Sequence, residues 1–193
     1  EGRMDQVPVL LAALVDEVSA EEGSLVAEQA AFSEAANLER QKRYRSAAIA
    51  FEYFAGRFAG REAAATALLR VGECLIGAEA YAEAESPLRS VIGEHPGTTL
   101  AAKAYRKLAL AQLLAGKYDE SLATLGAMDQ AYVGSHFSEY AKMRRGYVLA
   151  AANRVEEARI QYAAFLRECG SSRYCRYATN QLASLERSAA EPK

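Results

Sequence analysis

Apolar positions along the chain recur with one long period. A large apolar residue, a small one three positions on and a second large one four positions later appear at Tyr81, Ala84 and Leu88. Stepping by 37 residues gives Tyr118, Ser121 and Leu125, then Val155, Ala158 and Tyr162; stepping back gives Tyr44, Ala47 and Phe51. That spacing is one face of a helix, with a small residue where a neighbouring helix must come close. A second series keeps the same step. Gly60, Gly97, Gly134 and Ser171 align, followed by Ala67, Ala104, Ala141 and Ala178, while Gly72 and Gly146 fall in register with Ala35 and Ala109. Two independent series with one period make a repeat, and a repeat of this length is an array of supersecondary units.

Each unit reads as two helices, so pairs are predicted over 26–58, 61–94, 98–131 and 135–169. In the second, a helix over 61–78 is followed by the turn Glu79-Ala80 and a helix over 81–94. His95-Pro96-Gly97-Thr98 stops it, because proline lacks a donor and disfavours helix at the residue before it. Thr98 or Thr99 then caps the next helix. Gly116-Lys117 and Asn153-Arg154 supply the later short turns, and a lone helix over 173–187 covers the last face. Near the start, Val7, Leu10, Leu11, Leu14, Val15 and Val18 predict an amphipathic helix over 5–20. Its polar face holds Asp16 and Glu17, which suits an N-terminal cap better than an anionic membrane surface. The expectation is a single all-α domain over 1–193.

Composition agrees with helix. Hydrophobic residues make up 51% and charged residues 25%, with 4 prolines and abundant alanine, as a folded helical chain requires. The net charge of −2 provides no stripe to neutralise phosphates, so no nucleic-acid partner is expected. The longest apolar stretch, 7–15, falls short of the roughly 20 residues that span a bilayer, so no direct membrane insertion is expected. The opening Glu1-Gly2-Arg3 reads either as a processed start or as a tag or protease-site scar, with removal of an upstream signal or anchor left open. Of the 3 cysteines, Cys169 and Cys175 lie across an interhelix turn. They read either as a local disulfide of an oxidising compartment or, preferred on sequence, as small buried or half-buried thiols.

Nothing in the pattern carries catalysis. HExxH, CxxC, GxSxG, P-loop and GxGxxG motifs are all absent. His95 and His136 each stand beside a predicted turn, and Cys169 has no sequence-supported base. Asp119-Glu120 and Glu156-Glu157 occupy first turns, where acidic residues complement the helix dipole. No catalytic residue, metal ligand or cofactor is expected, and the chain is read as no enzyme.

The stretch Val71-Gly72-x-x-Leu75, then Tyr81-x-x-Ala84-x-x-x-Leu88-x-x-Val91-x-x-x-x-Pro96, resembles the tetratricopeptide repeat family. Leu108-Ala109 through Gly116-Lys117-Tyr118-Asp119-Glu120-Ser121, and Gly146 through Glu156-Glu157-Ala158, repeat the likeness, which covers 32–186. The resemblance implies a right-handed α-solenoid of about four helix pairs. The usual repeat is about 34 residues, and the surplus here sits between one pair and the next. Such longer turns resemble those of bacterial envelope repeat proteins of the BamD and Tol–Pal coordinator types. Lys117–Leu125 with Tyr140-Ala141-Lys142-Met143-Arg144-Arg145-Gly146 and Ala158-Arg159-x-x-Tyr162 is similar to the YfgM-type periplasmic partner of the Sec translocon.

In that family the first helix of each pair lines a groove. The resemblance places there Gln29 and Phe32; Thr66, Leu69, Glu73 and Ile76; Lys103, Arg106, Leu110 and Leu113; Tyr140, Met143 and Tyr147; and Tyr177 with Asn180. Lys103 and Arg106, one turn apart, could pair with a partner's carboxylate. The competing reading makes Leu110, Leu113 and Met143 core, and Lys103 with Arg106 a solvated face. Leu110 stands where chaperone-docking members carry asparagine, so that specialised clamp is not expected. The implied function is a scaffold binding a protein or peptide, periplasmic or anchored facing the periplasm. A cytoplasmic adaptor and a self-associating homo-oligomer are the alternatives.

Overall fold

A small residue on one helix lets its partner's large residue, and with it the partner's backbone, approach closely, and the computed structural model shows the pairs this spacing builds. It describes residues 24–190 together with positions 9, 12 and 13. Four pairs follow one another: α1 (Ser24–Arg40) with α2 (Tyr44–Arg57), α3 (Glu62–Gly77) with α4 (Tyr81–Glu94), α5 (Thr99–Leu114) with α6 (Tyr118–Ala131), and α7 (His136–Ala151) with α8 (Val155–Glu168). A last helix, α9 (Cys175–Ala190), ends the array. The helix expected over 5–20 lies outside the described residues, apart from helical positions 9, 12 and 13. Contacts divide the chain into two compact units, Glu1–Pro96 and Gly97–Lys193, separated within the Pro96-Gly97 turn.

Each unit has its own core. In the first, Ala31, Ala35, Phe51, Phe54, Val71 and Cys74 pack together. In the second, Ala109, Leu125, Met128, Ala141 and Val148 form one cluster, and Met143, Tyr162, Phe165 and Ala178 another. The tightest meeting points are the glycines. A methyl group on Gly72 would lie 2.5 Å from Leu88, and one on Gly146 would lie 2.7 Å from the Tyr162 ring. Helices α5 and α6 are also joined by buried polar pairs. Thr124 Oγ1 donates to Gln112 Oε1 at 2.7 Å, and Ser121 Oγ donates to the Ala109 carbonyl at 2.8 Å.

The turn inside each pair is closed the same way. Arg43, Ala80, Lys117 and Arg154 donate their amides back across the turn to the carbonyls of Leu38, Leu75, Gln112 and Leu149. The residue before each has positive φ: Lys42, Glu79 and Asn153 at 60° and Gly116 at 75°. This is the left-handed stop that satisfies the last carbonyls of a helix. The first turn between pairs ends at Arg61 without a side-chain cap, and the three later ones carry a hydroxyl acceptor. Thr98 Oγ1 accepts from the Ala101 amide, Ser135 Oγ from Phe137 and Ser138, and Ser172 Oγ from Tyr174.

Cys169 and Cys175 are joined in a disulfide across the α8–α9 turn, with Cα atoms 5.9 Å apart. This corrects the preference for two half-buried thiols: the turn folds back tightly enough for the sulfurs to meet. Cys74 is a buried free thiol, pushed up from 9.0 to about 12, first by burial and then by Glu39.

Two predictions follow from this packing. Gly146→Ala, which must displace the Tyr162 ring, destabilises by about 1–3 kcal/mol in urea unfolding. Gly126→Ala, in α6 with open space around its Cβ, stabilises by about 0.5–1 kcal/mol. Second, a thiol-specific disulfide reagent at about pH 8 leaves the native chain unlabelled and labels Cys74 after unfolding. Because the folded thiol titrates above its unfolded value, it favours the folded chain below about 9, and this contribution disappears as pH rises towards 12. Cys74→Ala therefore flattens the alkaline fall in stability.

Candidate functional site

The residues expected in a groove divide between the two units. In the first, Phe32 on α1 is half-buried and meets Phe51 and Phe54 edge-on at 5.3 and 5.2 Å. With Gln29 and Thr66 it borders a cleft of about 340 Å³. Glu73 is bound by Arg70 at 3.1 Å, and Arg70 also reaches Glu39 at 3.3 Å. Ile76 is half-buried. Leu69 is only 5% exposed, so it is core and presents no surface. Between α2, α3 and α4 a further cleft, of about 420 Å³, has Ile49, Leu68, Val71 and Leu75 among its lining residues, with Arg45 and Glu83 paired at 3.2 Å at its edge. Pro87 stands inside α4 on that side, so the Glu83 carbonyl loses its usual helical donor.

In the second unit the expected residues lie on three helices, and Arg106, Tyr140 and Tyr177 are brought together. Helix α5 presents Lys103, Arg106 and Leu110, α7 presents Tyr140 and Tyr147, and α9 presents Tyr177 and Asn180. The Arg106 guanidinium lies 4.3 Å from the centre of the Tyr140 ring, whose other neighbour is Tyr174, edge-on at 5.9 Å. Arg144 lies 4.2 Å from the centre of the Tyr147 ring. Such stacking holds a guanidinium in place while leaving its N–H edge to donate. Met143 is 5% exposed and Leu113 9%, so both belong to the core. Leu110 is half-buried against the α5–α7 cluster. The reason is helical phase: with α5 and α7 in contact, alternate turns of the expected stripe point into the seam.

Arg144 and Tyr174 were not among the sequence-predicted groove residues. Arg144 is one turn from both Tyr140 and Tyr147, a signal present in the spacing; Tyr174 belongs to a turn and is brought to Tyr140 by the fold alone. Beneath the face, Tyr162 is fully buried, and its hydroxyl has no hydrogen-bond partner. Burial, then neighbouring Tyr177, pushes its titration far up; Tyr177 itself is raised, first by burial.

The acidic pairs in first turns are engaged structurally. Arg154 donates to both Glu157 oxygens, at 2.7 and 2.6 Å, and to Asp119 at 2.9 Å. Lys117 pairs with Glu120 at 3.6 Å and Arg159 with Glu156 at 2.8 Å. Among the described residues no group of three or more His, Cys, Asp or Glu could hold a metal, and no helix is long and apolar enough to cross a membrane.

The buried, unpartnered hydroxyl makes a prediction. Tyr162→Phe keeps the ring against Gly146 and changes stability by no more than about 1 kcal/mol, in the stabilising direction. Tyr162→Ala costs about 3–5 kcal/mol. Urea midpoints of the two variants separate the ring's role from the hydroxyl's.

No curated protein sequence matches the chain significantly. Among solved structures, the chain described as MamA MSR-1 C2 matches with a TM-score of 0.50 and 19% identity, covering 84% of this chain and 90% of that one. At that identity the likeness speaks for the fold. The family described as tetratricopeptide repeat-like domain matches residues 18–187, nearly the whole described chain. With its paired helices, recurrent turns and small-to-large helix contacts, the chain belongs to the tetratricopeptide repeat-like family.

Proposed function

We propose that this protein is a non-enzymatic scaffold that holds a partner protein on the face formed by α5, α7 and α9, within a bacterial envelope assembly on the periplasmic side. The observation that carries the reading is the Arg106–Tyr140 and Arg144–Tyr147 stacking on one face. Tyrosine and arginine are the side chains enriched where proteins bind proteins, because they offer wide amphipathic contact at small entropic cost. Repeat folds of this kind bind partners through surfaces assembled from successive units. The Cys169–Cys175 bond supports the compartment, since such bonds persist where the environment is oxidising.

Crosslinked pull-down from source-cell extract tests it, comparing the parent chain with Arg106→Glu, Tyr147→Ala at matched helicity and melting temperature. The expected outcome is an envelope protein captured by the parent and lost by the variant. Equal capture by both would move the binding surface elsewhere on the chain.

A further inference from the structure

We infer that the partner segment docking on this face is acidic: a stretch of another protein carrying several carboxylates, received by Lys103, Arg106 and Arg144 between the surrounding tyrosines. The inference rests on the scaffold reading above and names the chemistry of what is held.

Charge in the second unit is sorted by helix. Helix α5 carries Lys103, Arg106 and Lys107 and no acidic residue. Helix α7 carries Lys142, Arg144 and Arg145 against Glu139 alone, and the Ser172 hydroxyl donates to Glu139 at 2.8 Å. Helix α6 runs the other way, with Asp119, Glu120 and Asp129 and no basic residue, and α8 carries Glu156, Glu157 and Glu168 beside Arg159 and Arg167. The carboxylates of α6 and α8 nonetheless have their own partners: Arg154 holds Asp119 and Glu157, Lys117 holds Glu120, Arg159 holds Glu156, Lys142 holds Glu168 at 3.0 Å, and the Ser138 hydroxyl donates to Asp129. By contrast, no carboxylate among the described residues lies within ion-pair reach of Lys103, Arg106 or Arg144.

Two of those three cations are fixed in orientation by the rings beneath them, at 4.3 and 4.2 Å. A guanidinium stacked on a ring keeps its fork of donors in the ring plane's direction, ready for a carboxylate with little further ordering. The first unit makes the comparison. Its corresponding helices α1 and α3 carry Glu28, Glu39 and Glu73, already engaged by Arg61 and Arg70. The sign of the face is thus particular to the second unit and is not a property of every repeat. A phosphate backbone is the poorer fit, because the cations are few, tyrosines separate them and the whole chain is net negative at −2.

The test uses a fluorescein-labelled Glu-rich peptide, a twin of equal length with Gln at each Glu, and the intact chain. Fluorescence anisotropy is expected to show the Glu peptide binding at least about tenfold more tightly than its twin, with affinity falling as salt rises. Arg106→Glu with Arg144→Glu abolishes that binding, and Arg106→Gln with Arg144→Gln, which avoids charge reversal should the first pair misfold, weakens it. Arg167→Glu on α8 leaves it unchanged. Equal binding of the two peptides, or Glu-peptide binding that survives both double variants, overturns the inference. So does displacement of the peptide by a single-stranded oligonucleotide at lower concentration, or a concentration-dependent mass showing a second copy on the face. The pull-down separates the two readings. If Tyr147→Ala abolishes capture while Arg106→Gln, Arg144→Gln does not, the face is the docking surface and the acidic partner is wrong. If neither variant affects capture, the face itself is wrong.

Discussion

The contact on which the rest depends is a small residue on the first helix of each pair meeting a large one on the second. Ala35 faces the core with Phe51, Gly72 receives Leu88, Ala109 shares its cluster with Leu125, and Gly146 receives Tyr162. All of the large partners are fully buried. Close approach at one point fixes the rotation of each helix about its own axis. Rotation then settles which neighbours point inward, as Met143 does, and which lie on the outer face, as Tyr140 and Tyr147 do. Protein interiors are packed too densely for that choice to drift by a residue.

Between these contacts the chain reverses through turns that recur at the same interval. The left-handed residue at 42, 79, 116 and 153 is glycine only once. Lysine, glutamate and asparagine adopt the same conformation at the other three, because the paired backbone hydrogen bonds and the packed helices hold them there. The turns between pairs have their own left-handed residue, at Gly60, Gly97 and Gly134, and the last of them departs from that series: Gly170 takes the positive φ one position before 171, and the disulfide closes around it. That turn delivers Tyr174 to Tyr140, so the covalent link and the aromatic face are neighbours in one unit.

Electrostatics separates the two kinds of helix in the second unit. Exposed ion pairs such as Arg154 with Asp119 and Glu157 contribute little to stability individually. Their effect is on what remains: carboxylates of the second helices are occupied locally, while Arg106 and Arg144 of the first helices are left stacked on tyrosine. A face whose charge is not cancelled within the chain is suited to selecting a partner by charge, which governs encounter and specificity more than it governs raw affinity.

The sequence by itself determined the repeat, the pairing of helices, the turn at every interval and the convergence of Arg106, Tyr140 and Tyr147 on one kind of helix. These are local or periodic properties: a helix face repeats every 3.6 residues, and glycine and proline mark where it stops. Tertiary structure alone decided that Leu69 and Met143 belong to the core, that Arg144 stacks on Tyr147, and that Tyr174 joins the face from a turn. It also decided that Cys169 bonds Cys175, and that Arg106 and Arg144 stand on tyrosines while Arg61 and Arg70 of the first unit are engaged by glutamates. A stripe of residues on a helix is wider than the strip a neighbour covers. Where the neighbour's edge falls, and which charges it brings within reach, depends on the distance and angle at which helices cross, and these belong to the folded pair and not to either segment alone.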